Sequence, residues 1–251
     1  MAATSIDLNA DLGEGCADDA GLMALISSAN IACGGHAGDV DSMRAAVRLA
    51  CQHGVVIGAH PSYPDREHFG RVSLDISQMR LAESITAQLW ALKAVCIEEG
   101  VAVAYVKPHG ALYNDAACHP GLAALIAATV REIDPDLALM GLAGSSLIEA
   151  GNYQGLTTIA EAFVDRAYLD DGSLMPRSQP GAVLADEAAA VAQAESLALS
   201  GGVQTADGTW LPLAAHSLCL HGDGPHALAL ARATRAMLER RGVKVMSPLL
   251  A

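Results

Sequence analysis

The stretch Ile6-Asp7-Leu8-Asn9-Ala10-Asp11 alternates apolar and polar residues without a break, and in an extended chain successive side chains point to opposite faces. One face of this strand carries Asp7, Asn9 and Asp11, the other Ile6, Leu8 and Ala10. A parallel strand buried on both faces of an open sheet reads instead as a continuous apolar run. A polar face on the first strand predicts an interior that is solvated or filled with ligand, as at the mouth of a βα barrel.

The rest of the chain supports that reading. Short apolar runs alternate with longer helical patterns from end to end, the arrangement of a parallel sheet covered by helices. The expected strands are 5–11, 28–32, 55–59, 101–106, 137–142, 157–164 and 217–220, and the expected helices 40–52, 76–99, 121–133, 145–150, 180–200 and 225–241. The segment 170–180, rich in Asp, Gly, Ser and Pro, has the length of a functional βα loop rather than of a domain junction. The expectation is a single α/β domain over residues 1–251, a seven-stranded TIM-like βα barrel, for which 251 residues suffice.

Composition narrows the partners. Fifteen Lys and Arg against 28 Asp and Glu give a formal charge of −13, a surface that repels phosphate backbones and anionic lipid heads, which argues against nucleic acid and membranes. The first residues reach acidic positions without the basic and apolar regions of a secretory signal, and no apolar run approaches the ~18–20 residues of a membrane span. Six cysteines stand singly, without a CxxC pair, as suits free thiols in a reducing compartment. The expected location is the cytoplasm.

Barrel enzymes build their sites where strands end and βα loops begin, and polar residues recur at that place here. The first strand ends in Asn9, Asp11 and, beyond it, Glu14; the second carries Asn30 and then His36 and Asp39; the third ends in His60; the fourth in Lys107 and His109. The sixth gives Glu161, Asp165 and Arg166, and the seventh His221 and Asp223. One histidine after a strand is more often a loop hydrogen-bonder than a catalyst, but four at four strand ends form a pattern. Lys107 lies in an apolar run, where a charge is costly unless used or neutralised; Asp11 or Asp223 is its expected ion-pair partner.

Two chemistries fit these residue types. Asp11 with two of His36, His60 and His109 could ligate a divalent metal such as zinc with an open position for water, although no HExxH or HxxxH occurs and a nearby ammonium opposes a cation. Without metal the same groups could serve as general acid and base around an anionic substrate. Asp223-Gly-Pro-His could open a helix whose amino end holds an anion, or be a simple turn. The chain has no P-loop, no dinucleotide-binding GxGxxG and no GxSxG elbow, and Cys33, inside an apolar run, reads as a packed, inert thiol.

Six ordered segments carry a resemblance: Asp7-Leu-Asn-Ala-Asp-Leu-Gly-Glu14, Ser28-Ala-Asn-Ile-Ala-Cys-Gly-Gly-His-Ala-Gly-Asp39, Gly58-Ala-His-Pro-Ser-Tyr-Pro-Asp65 with Phe69-Gly-Arg71, Val106-Lys-Pro-His-Gly-Ala-Leu-Tyr-Asn114, Glu161-Ala-Phe-Val-Asp-Arg-Ala-Tyr168 and Leu220-His-Gly-Asp-Gly-Pro225. Together they resemble the LamB/YcsF family over residues 5–248, with Gly35 standing where the family has phenylalanine, a change expected to widen the site. The family's fold is similar to the glycoside hydrolase/deacetylase type of barrel. Its members are described as the A component of a bacterial ATP-dependent 5-oxoprolinase. The resemblance therefore implies hydrolysis of 5-oxo-L-proline to L-glutamate coupled to ATP, in complex with subunits B and C, with ATP and magnesium held here or on a partner.

On that reading a water activated by Asp11, His36, His60 or His109 attacks the lactam carbon, Lys107 stabilises developing negative charge, and His221 and Asp223 complete the catalytic set. Arg71 or Arg166 holds the substrate carboxylate. Asn9, Glu14, Asn30, Asp39, Tyr113, Asn114, Glu161 and Asp165 complete the expected substrate contacts. The alternatives are a stand-alone metal-dependent amidase or deacetylase, and a non-catalytic ligand-binding subunit.

Overall fold

The computed structural model describes residues 5–16, 18–220 and 227–250. In chain order these form β1 (Ser5–Leu12), α1 (Asp19–Met23), β2 (Ser28–Ala32), α2 (Val40–His53), β3 (Val56–His60), α3 (Gln78–Glu98), β4 (Tyr105–Val106), α4 (Gly110–Cys118) and α5 (Pro120–Ile133). They continue with β5 (Ala138–Leu142), α6 (Ser146–Tyr153), β6 (Thr158–Phe163), α7 (Glu187–Glu195), β7 (Gly202–Gln204), β8 (Trp210–Pro212), β9 (Ser217–Leu220), α8 (Ala227–Arg240) and β10 (Lys244–Val245). Seven strands pair in parallel in the order β1-β2-β3-β4-β5-β6-β9, and β9 pairs again with β1, so the barrel closes. β10 adds to β1 at its start, matching Ser5 with Lys244.

The alternation in β1 becomes two environments. Ile6, Leu8, Ala10 and Leu12 join the main core between barrel and helices. Asp7, Asn9 and Asp11 point inward, as expected, but the interior around Asp7 and Asn9 is neither solvated nor open. The Ser27, Ser28 and Ser217 hydroxyls all donate to the Asp7 carboxylate, and both Asp7 and Asn9 have no solvent exposure. The polar face is hydrogen-bonded by other strands, which offsets part of the cost of burying it, although at Asp7 burial still outweighs the hydroxyls and raises the carboxyl pKa. Tyr105, Ala138, Met140 and Ile159 form a separate cluster, against which Leu249 packs. A Cβ at Gly58 would stand 2.2 Å from the Tyr105 ring, so the ring's position requires glycine on the neighbouring strand.

Six of the seven expected strands appear within two residues of their expected ends. The fourth shrinks to Tyr105–Val106, although the Ala104 amide still donates to Ile57 and its carbonyl accepts from Ala138. The helix expected over 180–200 starts at Glu187, because the Asp186 side chain accepts from the Ala188 amide and caps it there; residues 180–186 belong to the preceding loop. The short helices α1 and α4, the hairpin β7–β8 and the two-residue β10 have no counterpart in the expectation. Among the described residues no helix is long and apolar enough to cross a membrane.

Candidate active site

Strand ends bring most of the expected residues together. Asp11 comes from β1, Glu14 and His36 from the loops after β1 and β2, His60 from the end of β3, Lys107 and His109 from the turn between β4 and α4, and Glu161 from β6. A cavity of about 540 Å³ opens above them, lined at its floor by Asp11, Glu14, His60, Lys107 and His109. Its wall includes Arg71, Tyr113, Asn114, Phe163 and Arg166, and the 169–178 loop adds Ser173, Arg177 and Ser178.

Lys107 is the centre of the floor. Its ammonium lies 2.8 Å from Glu161 Oε1 and 3.1 Å from Asp11 Oδ1, donates to Asn9 Oδ1 at 3.1 Å and reaches Cys219 Sγ at 3.2 Å. Glu161 also accepts from Asn9 at 2.8 Å and from the Tyr113 hydroxyl at 2.7 Å. Asn30 donates to Asn9 at 2.7 Å and to Asp11 at 2.8 Å, and accepts from Tyr105 at 2.6 Å. Lys107, Asn9 and Tyr113 thus all direct a donor at Glu161. Burial opposes the Lys107 ammonium, but Asp11 and Glu161 outweigh it and hold its pKa well above the ordinary lysine value. Burial likewise opposes the Asp11 carboxylate, yet His60, when it carries a second proton, and Lys107 hold it well below the usual range.

Three imidazoles stand above this layer. His36 and His109 stack face to face at 3.7 Å, and His60 meets both edge-on. Burial and the neighbouring histidine push His36 down to about 3 and His109 down to about 2, so both rings are neutral near pH 7. Carbonyls set the tautomers of His60 and His109: His60 Nδ1 donates to the Lys107 carbonyl at 2.7 Å, and His109 Nε2 to the Phe69 carbonyl at 3.0 Å. Phe69 has a φ of 57° and lies edge-on to His36 and His109, with the Arg71 guanidinium 5.1 Å above its ring. A bulky residue in the left-handed region is a strained conformation found mainly where function demands it.

Several expectations need correction. Asp39 is exposed and forms a reciprocal capping box with Ser42 at the start of α2, away from the cavity; its chemistry is that of a helix cap. Asn9, Asn30 and Glu161 are fully buried and hold Lys107 and Asp11 in place instead of lining the cavity. Asp165 is buried beside Arg166, also outside the lining. His36 does not reach the cavity wall; its Nε2 is 2.9 Å from Glu14 Oε1, and its buried Nδ1 has no hydrogen-bond partner among the described residues. Gly35 does not widen the site: a Cβ there would run 2.2 Å from Gln88 and 2.5 Å from Ser62, on the side of α3. His221 and Asp223, with the helix-start turn, lie outside the described residues.

The expected ion pair of Lys107 with Asp11 is present, and Cys33 is buried with burial raising its thiol to about 12, as an inert core residue requires. Sequence reasoning missed Tyr105, Phe69 and Arg177. Arg177 had a signal, since its loop stood out as a functional βα loop. The Phe69 carbonyl had none, because a backbone acceptor leaves no mark in sequence. Among the described residues one set of side chains could hold a metal: Asp11, Glu14, His60 and His109 each place a ligand atom within 4.8 Å of the other three. Glu14 thus takes the place expected of His36.

The pattern of the LamB/YcsF family matches residues 6–250. A lactam utilization protein from Thermus thermophilus is 41% identical, with a TM-score of 0.90 over 97% of this chain and 99% of that one. Two more distant structures share the fold alone. The peptidoglycan deacetylase PdaC from Bacillus subtilis is 10% identical, with a TM-score of 0.53 over 98% of this chain and 88% of that one. A family 4 carbohydrate esterase from Streptomyces lividans is 13% identical, with a TM-score of 0.50 over 98% and 93%.

Proposed function

We propose that this chain, which belongs to the LamB/YcsF family, is the ring-opening subunit of an ATP-dependent 5-oxoprolinase. The observation that carries the reading is whole-chain similarity to a lactam utilization protein, joined to a cavity whose floor holds acid, base and cation side by side. The reaction adds water across the lactam C–N bond of 5-oxo-L-proline to give L-glutamate, and a second water converts ATP to ADP and phosphate. Subunits B and C complete the complex, and ATP with magnesium is bound within it. A five-membered lactam is a stable amide with a poor nitrogen leaving group. Transfer of the ATP γ-phosphoryl group to its carbonyl oxygen releases ADP and makes the ring carbon electrophilic; one water adds at that carbon as the C–N bond breaks to the amine, and the second water releases phosphate from the acyl phosphate so formed.

The side chains divide the remaining work. The unprotonated nitrogens of His60 and His109 and the Asp11 carboxylate face the cavity, where one of them takes the proton of the attacking water. Lys107, held by Glu161 and Asn9, is a fixed positive charge that stabilises the oxyanion as it forms, and its anchoring spares reorganisation during the reaction. Arg71 and Arg177 line the wall and suit a substrate carboxylate or a phosphoryl group, whereas the buried Arg166 donates to the Ala182 and Met175 carbonyls and braces the loop.

The test is glutamate release from 5-oxo-L-proline by a lysate lacking this chain, before and after adding it back, with and without ATP and magnesium. Restoration that needs ATP, and its loss with Asp11→Asn in a folded chain, is expected. No restoration by the folded chain overturns the substrate assignment, and ATP-independent turnover overturns the coupling.

A further inference from the structure

The two histidines at the cavity floor pose a proton-counting problem. A neutral imidazole has one N–H and one lone pair. The His60 N–H is fixed on Nδ1, because its partner is the Lys107 carbonyl, and the His109 N–H is fixed on Nε2, because its partner is the Phe69 carbonyl. Carbonyls only accept. The nitrogens left over, His60 Nε2 and His109 Nδ1, therefore present lone pairs to each other, and they stand 3.0 Å apart. Asp11 Oδ2 lies 3.3 Å from the first and Glu14 Oε1 3.5 Å from the second. His60 Nε2, His109 Nδ1 and Asp11 Oδ2 face one another with no proton assigned between them, and Glu14 Oε1, which also accepts from His36, completes the group.

From this we infer a divalent transition-metal site formed by Asp11 Oδ2, Glu14 Oε1, His60 Nε2 and His109 Nδ1, with zinc as its representative ion. The spacing fits. For zinc bonds of about 2.0–2.1 Å, tetrahedral neighbours stand about 3.3 Å apart, close to the three contacts just given, and the four ligand atoms lie within 4.8 Å of one another. Two imidazoles with two carboxylates form a donor set of the kind zinc takes, and too rich in nitrogen for magnesium or calcium.

The surroundings also fit. Both ligand histidines donate their second nitrogen to a backbone carbonyl, the arrangement that fixes tautomer and ring orientation in metal sites. His36 donates to Glu14 and stacks on His109, which orients a ligand without being one. Lys107 does not block the ion, because Asp11 divides its oxygens: Oδ1 faces Lys107 and Asn30, and Oδ2 faces His60. Asp11, Glu14 and Glu161 outnumber that single ammonium, so a dication reduces the local imbalance of charge. The inference rests on these donor atoms and not on the lactam reading, but an ion bound there would take up the lone pairs of His60 and His109 that the reading above uses as bases.

The rival arrangement is an added proton on His60 Nε2, shared with Asp11 and His109. Metal binding by the isolated full chain separates the two. After chelator treatment and dialysis, the chain is expected to take up one zinc by calorimetry and elemental analysis, and cobalt in its place to show visible ligand-field absorption. Outer-shell changes typically cost about 10–100-fold in metal affinity. His60→Ala and His109→Ala should therefore each lose more than ~100-fold, and His36→Ala should fall within that outer-shell range while keeping the stoichiometry. Circular dichroism checks that each variant folds. Should His60→Ala or His109→Ala not fold, the wild-type uptake and the cobalt spectrum decide. A folded wild-type chain that takes up no stoichiometric metal at micromolar free zinc, with nitrogen NMR showing both His60 nitrogens protonated, overturns the inference in favour of the shared proton.

Discussion

Replacing Lys107 by methionine keeps most of the buried stem and removes the ammonium, leaving Glu161 and one Asp11 oxygen without their cation. With an effective dielectric of about 20, the contact at 2.8 Å represents a gross attraction of about 6 kcal/mol. Part of that offsets the desolvation of both ions. Breaking a buried pair by removing one partner typically costs about 3–5 kcal/mol, and Lys107→Met should lie in that range. The informative variant is Lys107→Met with Glu161→Gln. An amide at 161 still accepts from Asn9, and the Tyr113 hydroxyl can turn to accept from its NH2 group, so the double variant should regain about 2–3 kcal/mol relative to the additive sum. Urea unfolding at pH 7 of wild type, both single variants and the double variant closes the cycle. A loss below about 1 kcal/mol for Lys107→Met, outside the range for breaking buried pairs, or a double variant no better than the sum of the singles, would refute the view that this charge compensates buried carboxylates.

Two further outcomes follow from the same geometry. His36 and His109 are held neutral, with folded-state values of about 3 and about 2 against an ordinary 6.5, so below pH 6.5 the unfolded chain takes up protons that the folded chain refuses. Stability is therefore full above 6.5 and falls as the pH drops toward 3, by about 2 kcal/mol per imidazole at pH 5. Urea midpoints of the chelator-treated chain at pH 7 and 5 check this; equal midpoints would mean that the folded rings are protonated, and His36→Phe should remove part of the slope. Separately, Gly110 has a φ of 58°, and a Cβ there would stand 2.5 Å from the Gly70 carbonyl oxygen. Gly110→Ala should cost about 2–3 kcal/mol and displace the Phe69 carbonyl from His109, lowering turnover as well as stability. A loss under about 0.5 kcal/mol, the size of an unremarkable surface substitution, would show that the crossing constrains nothing.

What the sequence disclosed depended on the range of the interaction. The inward face of β1 was legible because alternation is local. The strand-end residues Asp11, His60, Lys107 and His109 were legible because a polar residue directly after an apolar run is a local event too. The network beneath them was not: Asn9 meets Glu161 across 152 positions, and Tyr105, read only as part of a strand, donates to Asn30. Asp39 was misassigned because a carboxylate at a helix start serves a cap as readily as a site, although Ser42 three residues later carried the capping signal. The hairpin β7–β8 had its own mark in Asp207-Gly208, a turn pair between β-prone residues, but its strands have only three residues each.

Closure of the barrel bears on how the molecule is made. β1 is flanked by β2 on one side and by β9 and β10 on the other, so the strand that supplies Asp11 acquires its second set of neighbours only from the far end of the chain. Until β9 has left the ribosome, Asp7 lacks Ser217, and Lys107 lacks Cys219. Closing so long a loop is entropically slow, and a nascent chain must carry an open-edged sheet with partly unmatched buried charges for most of its synthesis. Such intermediates are the ones that aggregate or engage chaperones. C-terminal truncations that remove β9 should therefore leave the barrel open, however complete the strands before it.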